Sequence, residues 1–137
     1  MTAPFDLAGI DHVVLLVDDM TQATDFYTGV LGCSVDNDLP QYGMRQLRAG
    51  DALIDLVDIG SPEGAWARPE VAGGRNVDHV ALALRPADPE AVRRHLAENG
   101  VAIVEEGDRV GALGDTLSFY VRDPSGNQIE LSFPPQA

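Results

Sequence analysis

The feature that most constrains this chain is a segment it writes twice. Ile10-Asp11-His12-Val13-Val14-Leu15-Leu16-Val17 is answered by Val77-Asp78-His79-Val80-Ala81-Leu82-Ala83-Leu84. A repeat of this size marks a supersecondary unit that cannot bury its apolar surface alone and must stack on its counterpart. Both segments read as buried strands, and each is followed by a helix. From Met20 to Leu31, residues Ala23, Phe26, Tyr27, Val30 and Leu31 fall on one helical stripe, which ends at Gly32. In the second unit Asp88 caps, Pro89 takes the first helical position, and Val92, His95 and Leu96 share a face before Gly100. Three short β segments follow each helix, at about 33–39, 43–49 and 52–58, then at about 101–106, 116–122 and 127–133. Turn residues close each last pair into a hairpin: Arg48-Ala49-Gly50-Asp51 in the first unit, Asp123-Pro124-Ser125-Gly126-Asn127 in the second. The second unit carries a longer insertion before its last strand, including Arg109 to Gly114.

The expected architecture is therefore α+β: two tandem βαβββ modules, about 8–59 and 77–134, in one domain spanning 1–137 and joined by a Gly- and Pro-rich linker over 60–76. Helices should cover one side and leave a shared concave surface on the other. The linker holds Trp66, which reads either as a cover for an apolar edge or as a lid or dimer contact. A length of 137 residues suffices for one core without disulfide or zinc staples. The formal net charge of −13 opposes binding to phosphate backbones and to anionic membrane surfaces, so neither nucleic acid nor membrane is expected as a partner. No apolar run reaches the roughly 18 to 20 residues of a membrane span, the solitary Cys33 excludes an internal disulfide, and residues 1–6 lack a basic or apolar leader pattern. A soluble, cytoplasmic protein is the expectation.

Period two puts His12, Val14 and Leu16 on one face of the first strand, and His79, Ala81 and Ala83 on the equivalent face of its counterpart. On the closing strands, Asp55 stands with Leu53 and Val57, and Glu130 with Gln128 and Ser132. Pseudo-symmetry would bring two imidazoles and two carboxylates together between the modules. Buried charges need a counter-ion, so this pattern points to one divalent metal ion per protomer. Mixed imidazole and carboxylate donors suit Zn²⁺, Ni²⁺, Mn²⁺ or Fe²⁺ and argue against Ca²⁺. Arg45 or Gln46 must face the same surface, where an arginine could orient an anionic substrate. His95 reads as a half-buried packing residue, and Cys33 as a small apolar filler.

These pieces together resemble the vicinal oxygen chelate superfamily, which contains glyoxalases, bleomycin-resistance proteins and extradiol dioxygenases. The resemblance rests on Asp11-His12-Val13, Asp25-Phe26-Tyr27 with Val30-Leu31-Gly32, Asp78-His79-Val80, and Asp123 to Asn127 through Ile129-Glu130-Leu131. It implies an open, cup-like mixed β-barrel with a divalent metal inside, and a homodimer. It places His12, His79 and Glu130 on the three common metal-ligand positions and Asp55 on the fourth, where glyoxalase I has Glu. Asp is one methylene, about 1.5 Å, shorter, which is compatible with direct ligation, with binding through water, or with an open coordination position.

The resemblance implies lyase or isomerase chemistry of the glyoxalase type on a small molecule with vicinal oxygens, through a metal-stabilised enediolate, with Glu130 or Asp55 shuttling the proton. Leu16 and Ile59 stand where glyoxalase I carries its glutathione-binding residues, which speaks against glutathione as co-substrate. A fosfomycin-type thiol transferase is an alternative, because Ser118-Phe119-Tyr120 and Glu130 repeat its spacing, with Ser118 and Tyr120 contacting substrate; Val14 replaces its Thr. Extradiol dioxygenases use the His, His, Glu triad but usually in a doubled chain. A metal-free antibiotic-binding dimer would suit the acidity, whereas His12 and His79 favour an enzyme. The stretch Gly111-Ala112-Leu113-Gly114 with Tyr120 to Pro124 is similar to small glyoxalase-domain proteins of unassigned activity.

Overall fold

A computed structural model describes residues 4, 10–69, 71, 74, 77–112 and 114–135. Leu113, most of the N-terminal segment before Ile10, and residues 70, 72, 73, 75 and 76 of the linker lie outside the described residues. Two βαβββ units follow one another. The first comprises β1 (His12–Val17), α1 (Met20–Asp25), β2 (Ser34–Leu39), β3 (Met44–Ala49) and β4 (Ala52–Asp58). The second comprises β5 (Val80–Ala83), α2 (Pro89–Glu98), β6 (Glu105–Gly111), β7 (Gly114–Arg122) and β8 (Gln128–Ser132). Each unit forms a four-stranded sheet, in the orders β1-β4-β3-β2 and β5-β8-β7-β6. The parallel pair in each is the first strand with the last, and the remaining pairs are antiparallel. Each helix is the crossover that a parallel pairing requires. The two sheets stay separate, so no closed barrel forms among the described residues.

The helices start and stop as their sequences dictate. Asp19 accepts from the Gln22 amide at 2.9 Å, and Asp88 from the Glu90 amide at 3.1 Å, satisfying otherwise orphaned donors of the first turns. Gly32 and Gly100, both at positive φ, end the helical segments. The stripe from Met20 to Leu31 is not one regular helix, however. After Asp25 it widens into a π-helical turn over Phe26–Val30, in which the Leu31 amide donates five residues back to Phe26. Phe26 and Tyr27, adjacent in sequence, are both buried there, ring against ring at 5.2 Å.

Two other expectations need correction. β1 and β5 are half-buried rather than fully buried, because each lies at the edge of its sheet with one face open. The expected strand at 101–106 begins only at Glu105, while the expected insertion from Arg109 to Gly114 extends the β6–β7 hairpin beyond its counterpart in the first module. Gly111 pairs with Gly114 across its tip, and Gly114 supplies the positive φ that the tight turn needs.

One core joins the two units: Leu15, Phe26, Tyr27, Leu47, Ile54 and Leu56 of the first pack in a common cluster with Leu96, Phe119, Ile129 and Phe133 of the second. Polar ties reinforce it. The buried Tyr27 hydroxyl donates to Asp123 at 2.9 Å, and burial pushes its pKa up, with Asp123 adding to the shift. Asn127 donates to the Leu16 carbonyl, the Ser125 hydroxyl donates to Asp18, and His95 Nε2 bonds the Val30 carbonyl. His95, expected to be half-buried, is exposed and serves as a tether, and Cys33 is a buried free thiol. Trp66, 59% exposed, donates its indole N–H to the Tyr42 carbonyl at 2.9 Å and sits on a 3₁₀ turn, Ala65–Ala67. No helix among the described residues is long and apolar enough to cross a membrane.

Candidate metal centre

His12 opens β1, and His79 lies just before β5, so the repeat sets both imidazoles at the corresponding ends of corresponding strands. Each is oriented by the residue before it. His12 Nδ1 bonds Asp11 Oδ2 at 2.7 Å, and His79 Nδ1 bonds Asp78 Oδ2 at 2.8 Å. A carboxylate on Nδ1 fixes the tautomer that leaves Nε2 as the donor atom. The Asp11 hydrogen bond, with Asp55 behind it, raises the pKa of His12 above its ordinary value. Asp11 and Asp78 were not singled out as functional from the sequence, although the doubled Asp-His dipeptide carried the signal.

Each Nε2 faces a carboxylate held in the interior by the last strand of its own module. On β4, Asp55 is 2% exposed, and its Oδ2 lies 4.0 Å from His12 Nε2. On β8, Glu130 is 8% exposed, and its Oε1 lies 3.2 Å from His79 Nε2. Asp55 Oδ2 accepts from Gln46 at 3.3 Å, while Asp55 Oδ1 has no hydrogen-bond partner among the described residues. A buried oxygen left unpaired costs about 1–3 kcal/mol. That cost and the donor set of two imidazoles and two carboxylates both fit a divalent cation.

Register decides between Arg45 and Gln46. Gln46 stands opposite Asp55 and shares its face, whereas Arg45 stands opposite Leu56 on the helix side. There Arg45 donates to Asp38 at 2.8 Å and to the Thr24 hydroxyl of α1 at 3.0 Å. Arg45 therefore faces away from the surface on which it was expected to meet substrate, and Gln46 holds that place.

In the second module, β7 brings Tyr120 opposite Glu130 and Ser118 opposite Ser132. Ser118 is fully buried and gives its hydroxyl hydrogen to Glu130 Oε2 at 2.8 Å, so it holds the carboxylate instead of reaching outward. The Tyr120 ring packs edge-on against His79 at 5.7 Å. Burial raises the pKa of the Tyr120 hydroxyl; Glu130 adds to the rise and Arg109 opposes it. Arg109, on the extended β6–β7 hairpin, is thus part of this neighbourhood.

The structure brings the expected residues together as two pairs, His12 with Asp55 and His79 with Glu130. Among the described residues no group of three or more His, Cys, Asp or Glu side chains is gathered closely enough to hold one ion. A groove of about 770 Å³ lined by Val30, Cys33, Ala81, Ala83, Leu96 and Leu131 contains none of the four.

Comparison with known proteins identifies the family. Residues 9–131 match the family model of the Glyoxalase/Bleomycin resistance protein/Dioxygenase superfamily. The chain is 36% identical to the glyoxalase domain-containing protein RDO1 of Mycosarcoma maydis over 90% of its own length and 66% of that protein's, just under two thirds of the relative. It is 30% identical to virulence protein STM3117 of Salmonella typhimurium over 90% of this chain and 82% of that one. The crystal structure of that protein superposes with a TM-score of 0.70, covering 96% of this chain and 100% of the other at 29% identity. A probable lactoylglutathione lyase of Vibrio cholerae is 28% identical over 88% of this chain and 86% of its own. Repeated modules, paired sheets and matched sequence lead to one conclusion: the chain belongs to the Glyoxalase/Bleomycin resistance protein/Dioxygenase superfamily.

Proposed function

We propose that the chain is a divalent-metal-dependent enzyme of the lyase or isomerase type acting on a small molecule with vicinal oxygens. The observation that carries this reading is the arrangement written once in each module: an Asp on Nδ1 of a His whose Nε2 faces a carboxylate drawn from the last strand. The name of the Vibrio cholerae relative, a probable lactoylglutathione lyase, supports the same class of chemistry. His12, Asp55, His79 and Glu130 would hold one ion per protomer, of zinc, nickel, manganese or iron. When bound, such an ion supplies a Lewis acid that polarises the paired oxygens of the substrate.

The protein's own groups then divide the remaining work. Glu130 is the group placed to move a proton at the carbon beside a substrate carbonyl, since Ser118 fixes its Oε2 and leaves Oε1 directed at His79. Ser118 acts by positioning Glu130. The Tyr120 hydroxyl stays protonated at neutral pH and so can donate a hydrogen bond to a substrate oxygen. Asp55, steadied by Gln46 on one oxygen, offers the other as a ligand or as a second acid–base group.

One ion needs both pairs at once, and one chain keeps them apart. Among the described residues β1 pairs with β4 alone and β5 with β8 alone, so each module presents an open strand edge beside its His. We place the meeting of the pairs between two copies of the chain, in a homodimer with a small-molecule substrate between its faces.

Elemental mass spectrometry of the protein, as isolated and after chelation and refeeding with Zn²⁺, Ni²⁺, Mn²⁺ and Fe²⁺, tests the reading. One ion per chain is expected, lost in His79→Ala and weakened in Glu130→Gln. Absence of bound metal after every refeeding would sink it.

A further inference from the structure

β6 lies beside β7 so that Glu105, Gly107 and Arg109 stand on the face that carries Tyr120, Ser118 and Thr116. Gly107 has no side chain, and Arg109 reaches back across it: a Cβ built there would lie 2.5 Å from Arg109 Nη1. The guanidinium thereby comes to 5.4 Å from the Tyr120 ring centroid, and that ring touches His79. Arg109 Nη2 donates to Glu105 at 3.0 Å and Nη1 to the Asp108 carbonyl at 3.0 Å, contacts that use two of the five N–H donors of an arginine. The other ionisable partners named around the second pair, Asp78, Glu130 and Glu105, are acids. An acidic site in a chain of net charge −13 repels anions. A guanidinium extended over a glycine into that site offsets the repulsion at one point.

We infer that Arg109 is the specificity-determining residue of the His79–Glu130 half of the site and binds a carboxylate that the substrate carries in addition to its vicinal oxygens. The inference rests on the metal-site reading given above. A planar monoanion suits the single guanidinium edge that Glu105 leaves available. A tetrahedral dianion beside Glu105 would need a second cation, and no second arginine or lysine contacts Tyr120, His79 or Glu130 among the described contacts. The competing account is that Arg109 only covers Tyr120 and pairs with Glu105 at the surface, where such a pair contributes little.

Calorimetry on the zinc-loaded full chain, with malate and 2-hydroxybutyrate as probes, separates the accounts. Both probes present a hydroxyl beside a carboxylate, and malate carries one carboxylate more. The wild type should prefer malate by about 10- to 100-fold, the range of a charge-assisted hydrogen bond. Arg109→Gln should bring the ratio of the two Kd values to near unity. Gly107→Ala should do the same with the charge retained, because its methyl group displaces the guanidinium; circular dichroism and zinc content check that each variant is folded and loaded. Equal binding of both acids by the wild type overturns the inference and leaves the metal site standing, as does a malate preference that survives Arg109→Gln. Binding of neither acid overturns this inference and the proposed function together.

Discussion

At the scale of single residues, the buried polar groups serve position before chemistry. Tyr27 rises from the π-helical turn of the first module to donate to Asp123 of the second, and Asp123 also accepts from the Ser125 and Asn127 amides. Tyr27→Phe removes a buried donor and leaves one carboxylate lone pair unmet. It should lower unfolding stability by about 1–3 kcal/mol in denaturant titration. An unchanged midpoint would show that the tie between the modules carries no weight. The residues behind the candidate site show the same economy: Asp11, Asp78 and Ser118 each fix one atom of a His or acid and leave another directed at the pair, while Gln46 binds the Asp55 oxygen nearest His12.

Among elements, the glycine before β3 is a tightly constrained point. Gly43 has φ of 62°, and a Cβ added there would sit 2.6 Å from the Gly64 backbone nitrogen. Backbone cannot swing aside as a side-chain tip can, so Gly43→Ala should cost about 1–3 kcal/mol. Thermal unfolding measures this, and a stabilised variant would contradict it. On the helix side of the second sheet, Arg93 of α2 stacks over Phe119 at 4.5 Å and holds Glu106 of β6. The Arg93 hydrogen bond keeps the Glu106 carboxyl below its usual pKa. A depressed carboxyl pKa stabilises the fold above the unfolded value, about 4.3, and the contribution fades as pH falls through the folded value. Glu106→Gln should therefore lower Tm at pH 7 and match the wild type near pH 2, with high salt shrinking the neutral-pH gap because Glu106 is exposed and Arg93 only half-buried. A gap that widens toward acid would have the wrong sign.

For the whole molecule, the proposed dimer predicts where the two His–carboxylate pairs meet. If two copies build each site, a heterodimer of His12→Ala with His79→Ala unites both lesions in one site and leaves the other intact. Co-expressed, differently tagged chains should then bind one ion per heterodimer, while either variant alone binds none. A heterodimer as empty as its parents would place both pairs of a site within one chain. The repeat, the strand–helix order, the two hairpin turns and the matched positions of His12 with His79 and of Asp55 with Glu130 in the two modules were all legible in the sequence, because periodicity, turn residues and caps act over a few neighbours. Tertiary structure decided the rest. Strand register, in which a shift of one residue exchanges the faces, sent Arg45 to the helix side and Gln46 to the site. The reach of Arg109 depends on a missing Cβ at Gly107 and on a ring across the strand pair. Whether four donors share one ion depends on how whole sheets approach, a long-range packing outcome that no local pattern encodes.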